Sequence, residues 1–378
     1  MKRVSIIVFI LILLYPMFGS TIDDILQLEG VENEKEVVGF SVDNLWSGKT
    51  QDYLSDVWSE VIPGKALLVK LRNEIIFSFL KTSPNENVIM GKNDDLYEPA
   101  YIYWQTQIYE YSDEELDEAV DKLIKVQQIL KNKDMYIFIT PSKARFNQSD
   151  FPVQLELLKS YGCPNADLYT RFIERLSKSN LRYFDSVEYI SQNLNKKKCP
   201  VFYKTGIHWS RLWGNYVAAE FANYITNTSE WDLPKLTVSS IETNLAKHPD
   251  ADLLKTCNVF SSPYDKYYEP IVFVDEGGRD KSKPKFFCRG GSFMGQSLGM
   301  LIDLNIFAEY TYFENNYYRT SANVENTFIS SYSAYDEFPV LSYLENSDIV
   351  VFEINEAAIY NMSFGFLDYL LENMYDKN

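Results

Sequence analysis

From about residue 112 onward, short apolar runs alternate with amphipathic stretches, and this alternation restricts the fold more than any other feature of the chain. The apolar runs at 135–139, 181–184, 284–288, 308–313 and 348–354 have the length and bounding polar residues of buried strands. Between them lie helical patterns. One opens at Ser112-Asp113-Glu114-Glu115, a capping-box sequence, and then repeats Leu116, Ala119, Val120, Leu123, Ile124 and Leu130 on one face. Others span about 166–178, 292–304 and 364–374. Strands alternating with helices predict an α/β fold, a doubly wound and mostly parallel sheet with helices on both faces. Residues 21–87 read as a helical lead-in, and about 231–283 as a turn-rich, irregular insertion or lid. No repeat or low-complexity linker interrupts the chain, so 21–378 is expected to be a single domain.

The N-terminus has a different character. Met1-Lys2-Arg3 is followed by an apolar run from Val4 to Tyr15, then by Pro16 and Gly19. That run is shorter than the roughly 20 residues of a spanning helix and fits residues 1–20 as a signal peptide or an uncleaved N-terminal anchor. Either places the protein outside the cytoplasm, in the periplasm or another extracytoplasmic space. The net charge of −17 argues against nucleic acid as a partner, since gripping a phosphate backbone needs a basic surface. Cys163, Cys199, Cys257 and Cys288 contain no C-x-x-C pair. In an exported chain they can form up to two disulfides or remain buried thiols. Neither a metal-ligand spacing nor a dinucleotide- or phosphate-binding glycine loop is present, so no cofactor is expected.

Two stretches carry chemistry. Histidine occurs only twice, and His248, in Lys247-His248-Pro249-Asp250, reads as a surface loop residue. His208 lies in Thr205-Gly206-Ile207-His208-Trp209-Ser210, before a helix that Ser210 can cap, where it is placed either as a base or as a packed core histidine. Later, Arg289-Gly290-Gly291-Ser292-Phe293 leads from a strand through two glycines to a serine at a helix start. Glycines permit a sharp turn, and the helix terminus offers free N–H groups to a developing oxyanion. The same string also serves as a simple turn and cap.

Taken in order with four further segments, these stretches resemble the AlgX/AlgJ-type family of SGNH-hydrolase-like polysaccharide O-acetyltransferases. That family has a D-x-H-W motif and a later G-[D/T]-S-F motif. The additional segments are Ile62-Pro63-Gly64-Lys65, the stretch from Val88 to Tyr97, Pro141-Ser142-Lys143-Ala144-Arg145, and Asp348-Ile349-Val350-Val351-Phe352-Glu353. The resemblance implies an exported O-acetyltransferase or acetylesterase acting on a cell-surface polysaccharide, with a membrane-bound O-acyltransferase supplying acetyl groups. It implies Ser292 as nucleophile and His208 as base, with an aspartate orienting the histidine. At the position of that aspartate this chain has Gly206. Asp185, at a strand end, is the first candidate to replace it. Arg145, Tyr203, Gly290 and Gly291 are the candidates for substrate contact. The alternative is an inactive relative that binds glycan or an assembly partner.

Overall fold

A computed structural model describes residues 39–60, 64–106, 111–161, 167–260, 262, 266–275, 277, 283–315, 317–321, 328–331 and 334–374. The expected signal or anchor segment at 1–20 lies outside the described residues, as does Cys163. The chain divides into two compact units, Met1–Glu86 with Cys257–Ser262, and Asn87–Thr256 with Pro263–Asn378. In the first, helices Val42–Trp46, Lys49–Glu60 and Lys65–Glu74 follow one another. The last helix passes without a break into a π turn at Ile75–Phe79. Asn73 Nδ2 donates to the carbonyl of Cys257 at 3.0 Å, and Glu74 accepts from the Phe260 N–H at 2.8 Å.

The second unit is built on a seven-stranded sheet. Its strands are β1 (Asp134–Thr140), β2 (Tyr183–Asp185), β5 (Lys285–Gly290), β6 (Glu309–Glu314), β7 (Tyr317–Ser321), β8 (Phe328–Ser331) and β9 (Ile349–Asn355), and β3 (Lys235–Thr243) with β4 (Tyr267–Asp275) forms a separate two-stranded ribbon. The spatial order is β8-β7-β6-β5-β9-β1-β2. From β6 to β2 every pairing is parallel, and β7 and β8 extend the β6 edge antiparallel. The principal helices are α1 (Asp113–Ile129), α2 (Leu168–Lys178), α3 (Ser186–Asn193), α4 (Arg211–Thr228), α5 (Asp252–Cys257), α6 (Ser292–Asp303) and α7 (Phe366–Met374).

The central strands are largely apolar because both of their faces are covered, with Arg289 and Glu353 as the buried charged exceptions near their carboxyl ends. Successive residues of β1 point to opposite sides. Tyr136 and Phe138 join a core with Trp213, Val217 and Phe221 of α4. Met135, Ile137 and Ile139 join a second core with Leu116 and Leu123 of α1, Phe172 of α2 and Leu370 of α7. Strand β9 splits the same way, Val351 to the first core and Val350 and Phe352 to the second. Each such side chain contributes roughly 1.5–3 kcal/mol of transfer free energy. Ser112 and Glu115 do form the capping box, with Glu115 N–H donating to Ser112 Oγ at 3.1 Å and Ser112 N–H to Glu115 at 2.7 Å.

The stretch expected to be irregular is more regular than its sequence suggests. It holds the nine-residue strands β3 and β4, paired over their full length, and α5. Strand β3 is largely exposed, and in β4 the apolar run Ile271-Val272-Phe273-Val274 directly follows Pro270 and stays half-buried or exposed, so neither packs as a core strand. Cys199, Cys257 and Cys288 are buried thiols. Burial pushes the Cys199 thiol up to about 11 and Cys288 well above the usual thiol range. A thiol held protonated in this way is a packing residue, not a nucleophile.

Candidate active site

Ser292 stands at the carboxyl end of β5, where an open α/β sheet presents its ligands. The strand passes through Gly290 and Gly291, and Ser292 opens α6 as its first residue. A side chain on Gly290 would begin 2.9 Å from Glu353 Cβ of neighbouring β9, so only glycine lets the two strands approach this closely. The Gly291 peptide is held at both ends. Its N–H donates to Glu353 Oε2 at 2.6 Å, and its carbonyl accepts from Tyr312 Oη at 2.5 Å. Glu353 is buried and also accepts from Thr140 Oγ1. Burial raises its carboxyl, and the Thr140 and Gly291 hydrogen bonds pull it back down. Arg289, buried, donates to the carbonyls of Gly290 and Phe313 at 2.9 and 3.0 Å. The turn before Ser292 is thus fixed by three strands, which sets the direction of the serine hydroxyl.

His208 comes from a short loop closed by an isolated antiparallel bridge between Phe202 and Trp209. Ser210 then caps α4 by accepting from the Trp213 N–H. A buried lysine shapes the loop. Lys143 Nζ donates to the carbonyls of Tyr203, Lys204 and Gly206 at 2.9, 3.0 and 2.9 Å, and to that of Leu96 at 2.7 Å. It pairs with buried Asp95 at 2.6 Å. Burial lowers the Lys143 ammonium pKa, and Asp95 acts against that shift. The loop brings His208 Nε2 to 2.7 Å from Ser292 Oγ. The Phe293 ring lies beside the imidazole, centroids 4.7 Å apart.

The carboxylate behind His208 is Asp252. Its Oδ2 lies 2.5 Å from His208 Nδ1. A carboxylate there selects the tautomer in which Nδ1–H donates and Nε2 is free to accept from the serine. Asp252 Oδ1 accepts from the N–H groups of Ile207 and Leu253, both at 2.8 Å. Asp252 begins α5, in the segment between the two ribbon strands. That segment is stitched to the histidine loop by Thr205 Oγ1 donating to the Asp250 carbonyl at 2.7 Å and by Leu254 N–H donating to the Thr205 carbonyl at 3.0 Å. The missing side chain at Gly206 follows from this arrangement. A Cβ there would lie 2.9 Å from Pro249 O and 3.2 Å from Asp252 Oδ1. The space beside Gly206 is filled by the segment that delivers Asp252.

Asp185 takes no part in this chain of hydrogen bonds. It caps α3 through the N–H groups of Val187 and Glu188 and accepts from Tyr169 Oη at 2.7 Å. Arg145 is committed to Glu356 at 2.8 Å and Asp167 at 3.1 Å, with its guanidinium over the Tyr169 ring. Tyr203 is buried, its ring against Tyr267 and its hydroxyl accepting from the Tyr268 N–H, so it ties the ribbon to the histidine loop. Of the expected substrate contacts, Gly290 and Gly291 flank the serine but their carbonyls are engaged by Arg289 and Tyr312. His248 is exposed, as expected of a loop residue, and lines a cleft of about 420 Å³ with His208, Ser292, Asn215 and Gln296. Tyr101 packs against Trp104 and Phe293 as part of the wall under the site.

Next to Asp252, the Asp250 carboxyl accepts from the Arg211 N–H at 2.9 Å and is pushed up to about 7, chiefly by burial. An acid whose pKa is raised on folding binds protons more tightly in the native state, so stability falls as pH rises from about 4 to about 7 and levels off above. Asp250→Asn keeps an acceptor for Arg211 and removes that ionisation. Urea midpoints at successive pH values should show the variant gaining on wild type across this window and no further above it. A difference between the two that does not change with pH would refute the assignment.

Residues 88–269, which contain His208 and Asp252 but stop short of Ser292, match the family model described as SGNH hydrolase-like domain, acetyltransferase AlgX. Among solved structures the chain is similar to the O-acetyltransferase domain of Pseudomonas putida AlgJ, at 16% identity over 72% of this chain and 92% of that one, TM-score 0.45. It is similar to Bacillus cereus PatB1 with a sulfonyl adduct, at 12% identity over 73% and 96%, TM-score 0.46. It is also similar to Pseudomonas aeruginosa AlgX, at 13% identity over 76% and 68%, TM-score 0.43. No curated protein matches the chain.

Proposed function

We propose, for a chain whose residues 88–269 match the model of the AlgX-type SGNH hydrolase-like acetyltransferase family, that it is an exported O-acetyltransferase acting on a polysaccharide through Ser292, His208 and Asp252. The supporting observation is the continuous hydrogen-bonded series from Asp252 through His208 to Ser292 at a cleft. Ser292 Oγ attacks the carbonyl carbon of an acetyl ester while His208 Nε2 takes the hydroxyl proton. The donor C–O bond breaks, the leaving oxygen takes the proton back from His208, and acetyl-Ser292 remains. A sugar hydroxyl then attacks the acetyl carbon, His208 accepts its proton, and the proton returns to Ser292 Oγ as that ester bond breaks. Water in place of the sugar gives hydrolysis. The first-turn N–H groups of α6 lie at the positive end of a 12-residue helix and favour the oxyanion formed at each step.

Asp252 weighs against the inactive-relative reading, which rested on the glycine at 206. Export rests on the basic and apolar N-terminal residues, and the acetyl donor partner is an integral membrane O-acyltransferase delivering acetyl groups to the extracytoplasmic face. Among the described residues no helix is long and apolar enough to cross a membrane. The direct test is acyl-enzyme capture. Brief incubation with an aryl acetate followed by acid quench and peptide mass spectrometry should locate one acetyl group on Ser292. Absence of both acetyl-Ser292 and aryl-acetate turnover above buffer would reject the reading.

A further inference from the structure

The cleft does not end at the serine. It continues along α6, whose cleft-facing residues run from Ser292 through Gln296 and Gly299 to Asp303. These are spaced three or four apart, the helical repeat that puts side chains on one face. Gly299 keeps this path open, since a Cβ built there would meet no atom within 4 Å. The acidic groups along the path are Asp303 and Glu314. Gln296 Oε1 is buried with no hydrogen-bond partner among the described residues. Glu314, across the cleft at the end of β6, and Asp303 have no ion-pair partner among the described residues. Among the described residues the one lysine or arginine lining the cleft, Arg211, is held by Glu269 at 2.5 Å, which offsets its charge.

Two carboxylates with no ion-pair partner among the described residues favour hydrogen-bond donors and repel a third carboxylate. We infer that the groove along α6 is the acceptor subsite and takes a glycan without carboxylates, one that presents hydroxyl, amide N–H or amine donors. This rests on the proposed acyl transfer and adds the class of acceptor to it. A uronate chain would bring its own carboxylates against Glu314 and Asp303, in a protein already carrying a net charge of −17.

The test uses the whole protein, an aryl acetate as donor, and three acceptors: a cello-oligosaccharide, a chitosan oligosaccharide and an oligomannuronate. The readout is how acetyl-Ser292 partitions between acceptor and water, measured from acetylated oligosaccharide against free acetate. Transfer to the first two should exceed transfer to the oligomannuronate by about tenfold or more. Gly299→Leu, which projects into open space, should shift the partition toward water by about tenfold with the two favoured acceptors. Glu314→Lys should raise transfer to the oligomannuronate. Equal partition to all three acceptors, or a Gly299→Leu partition equal to wild type, overturns the inference while leaving acetyl transfer intact. Failure of the aryl acetate to turn over in wild type defeats the acyl-transfer reading itself, and this one with it.

Discussion

Asp252→Asn is expected to lower kcat for an aryl acetate by about 10³–10⁴-fold with little change in thermal stability. The amide keeps the size of the carboxylate, and its oxygen can still accept from Ile207 and Leu253. What it loses is a negative acceptor facing His208 Nδ1. An amide N–H turned toward the ring selects the opposite tautomer, with Nε2–H pointing at Ser292, and the base is then unavailable. In serine proteases the same exchange costs about 10⁴ in kcat, roughly 5 kcal/mol of transition-state stabilisation. Ser292→Ala and His208→Ala supply the floor for the assay. In the proposed mechanism the three residues act as one unit, so Asp252→Asn combined with Ser292→Ala should be no slower than Ser292→Ala alone. Asp185→Asn is the informative control. It keeps a side-chain oxygen at the cap of α3, where Asn and Asp serve alike, and should leave kcat within about threefold of wild type. A large loss in Asp185→Asn, or a loss below threefold in Asp252→Asn, would return the orienting role to Asp185 or to neither.

What could be read in advance, and what could not, divides according to how local the signal is. The runs that became β1 and β9 were legible because a strand covered on both faces needs an unbroken apolar run such as Tyr136-Ile137-Phe138-Ile139. The Ser112–Glu115 cap was legible because both of its bonds close within four residues. Ser292 and His208 could be paired from sequence through the resemblance of their settings, strand-Gly-Gly-Ser-Phe and His-Trp ahead of a capped helix, to the family's two motifs, since each string alone also serves as a turn or a packed histidine. Asp252 offered nothing comparable. It lies 44 residues from His208, in a polar stretch whose ordering depends on a ribbon with little apolar periodicity. Its role is created by tertiary placement. Asp185 was chosen on a local rule, an acid at a strand end, and that position turned out to be a helix cap held by Tyr169. One trace of the arrangement was nevertheless present in the sequence. A glycine where the resembled family has an acid removes a side chain from a crowded loop, and such a vacancy is filled by a neighbour.

That reasoning makes Gly206→Asp a sharp experiment, because family resemblance and local geometry predict opposite results. By resemblance, the substitution supplies the missing acid and should raise activity. The structure predicts the reverse. A Cβ at 206 would lie 2.9 Å from the Pro249 carbonyl oxygen and 3.2 Å from that of Asp250, and both obstacles are backbone. Segment 249–252 would have to move, and it is tied down through Thr205, Ile207 and Leu254. Overpacking of this kind costs about 1–3 kcal/mol. A second carboxylate would also be placed against Asp252, whose Oδ1 lies 3.2 Å from the new Cβ, raising the cost of keeping either one charged. The variant should therefore melt several degrees lower and turn over aryl acetate at least about 100-fold more slowly, because displacing Asp252 by about 1 Å misaligns His208. Gly206→Ala separates the two contributions, since it carries the steric clash without the charge. It should lose a smaller, pH-independent share of activity, while the additional loss in Gly206→Asp should shrink at low pH as one of the paired carboxyls takes a proton. Activity in Gly206→Asp at or above wild type would mean that segment 249–252 yields to the new side chain, and that Asp252 is dispensable once an acid stands at 206.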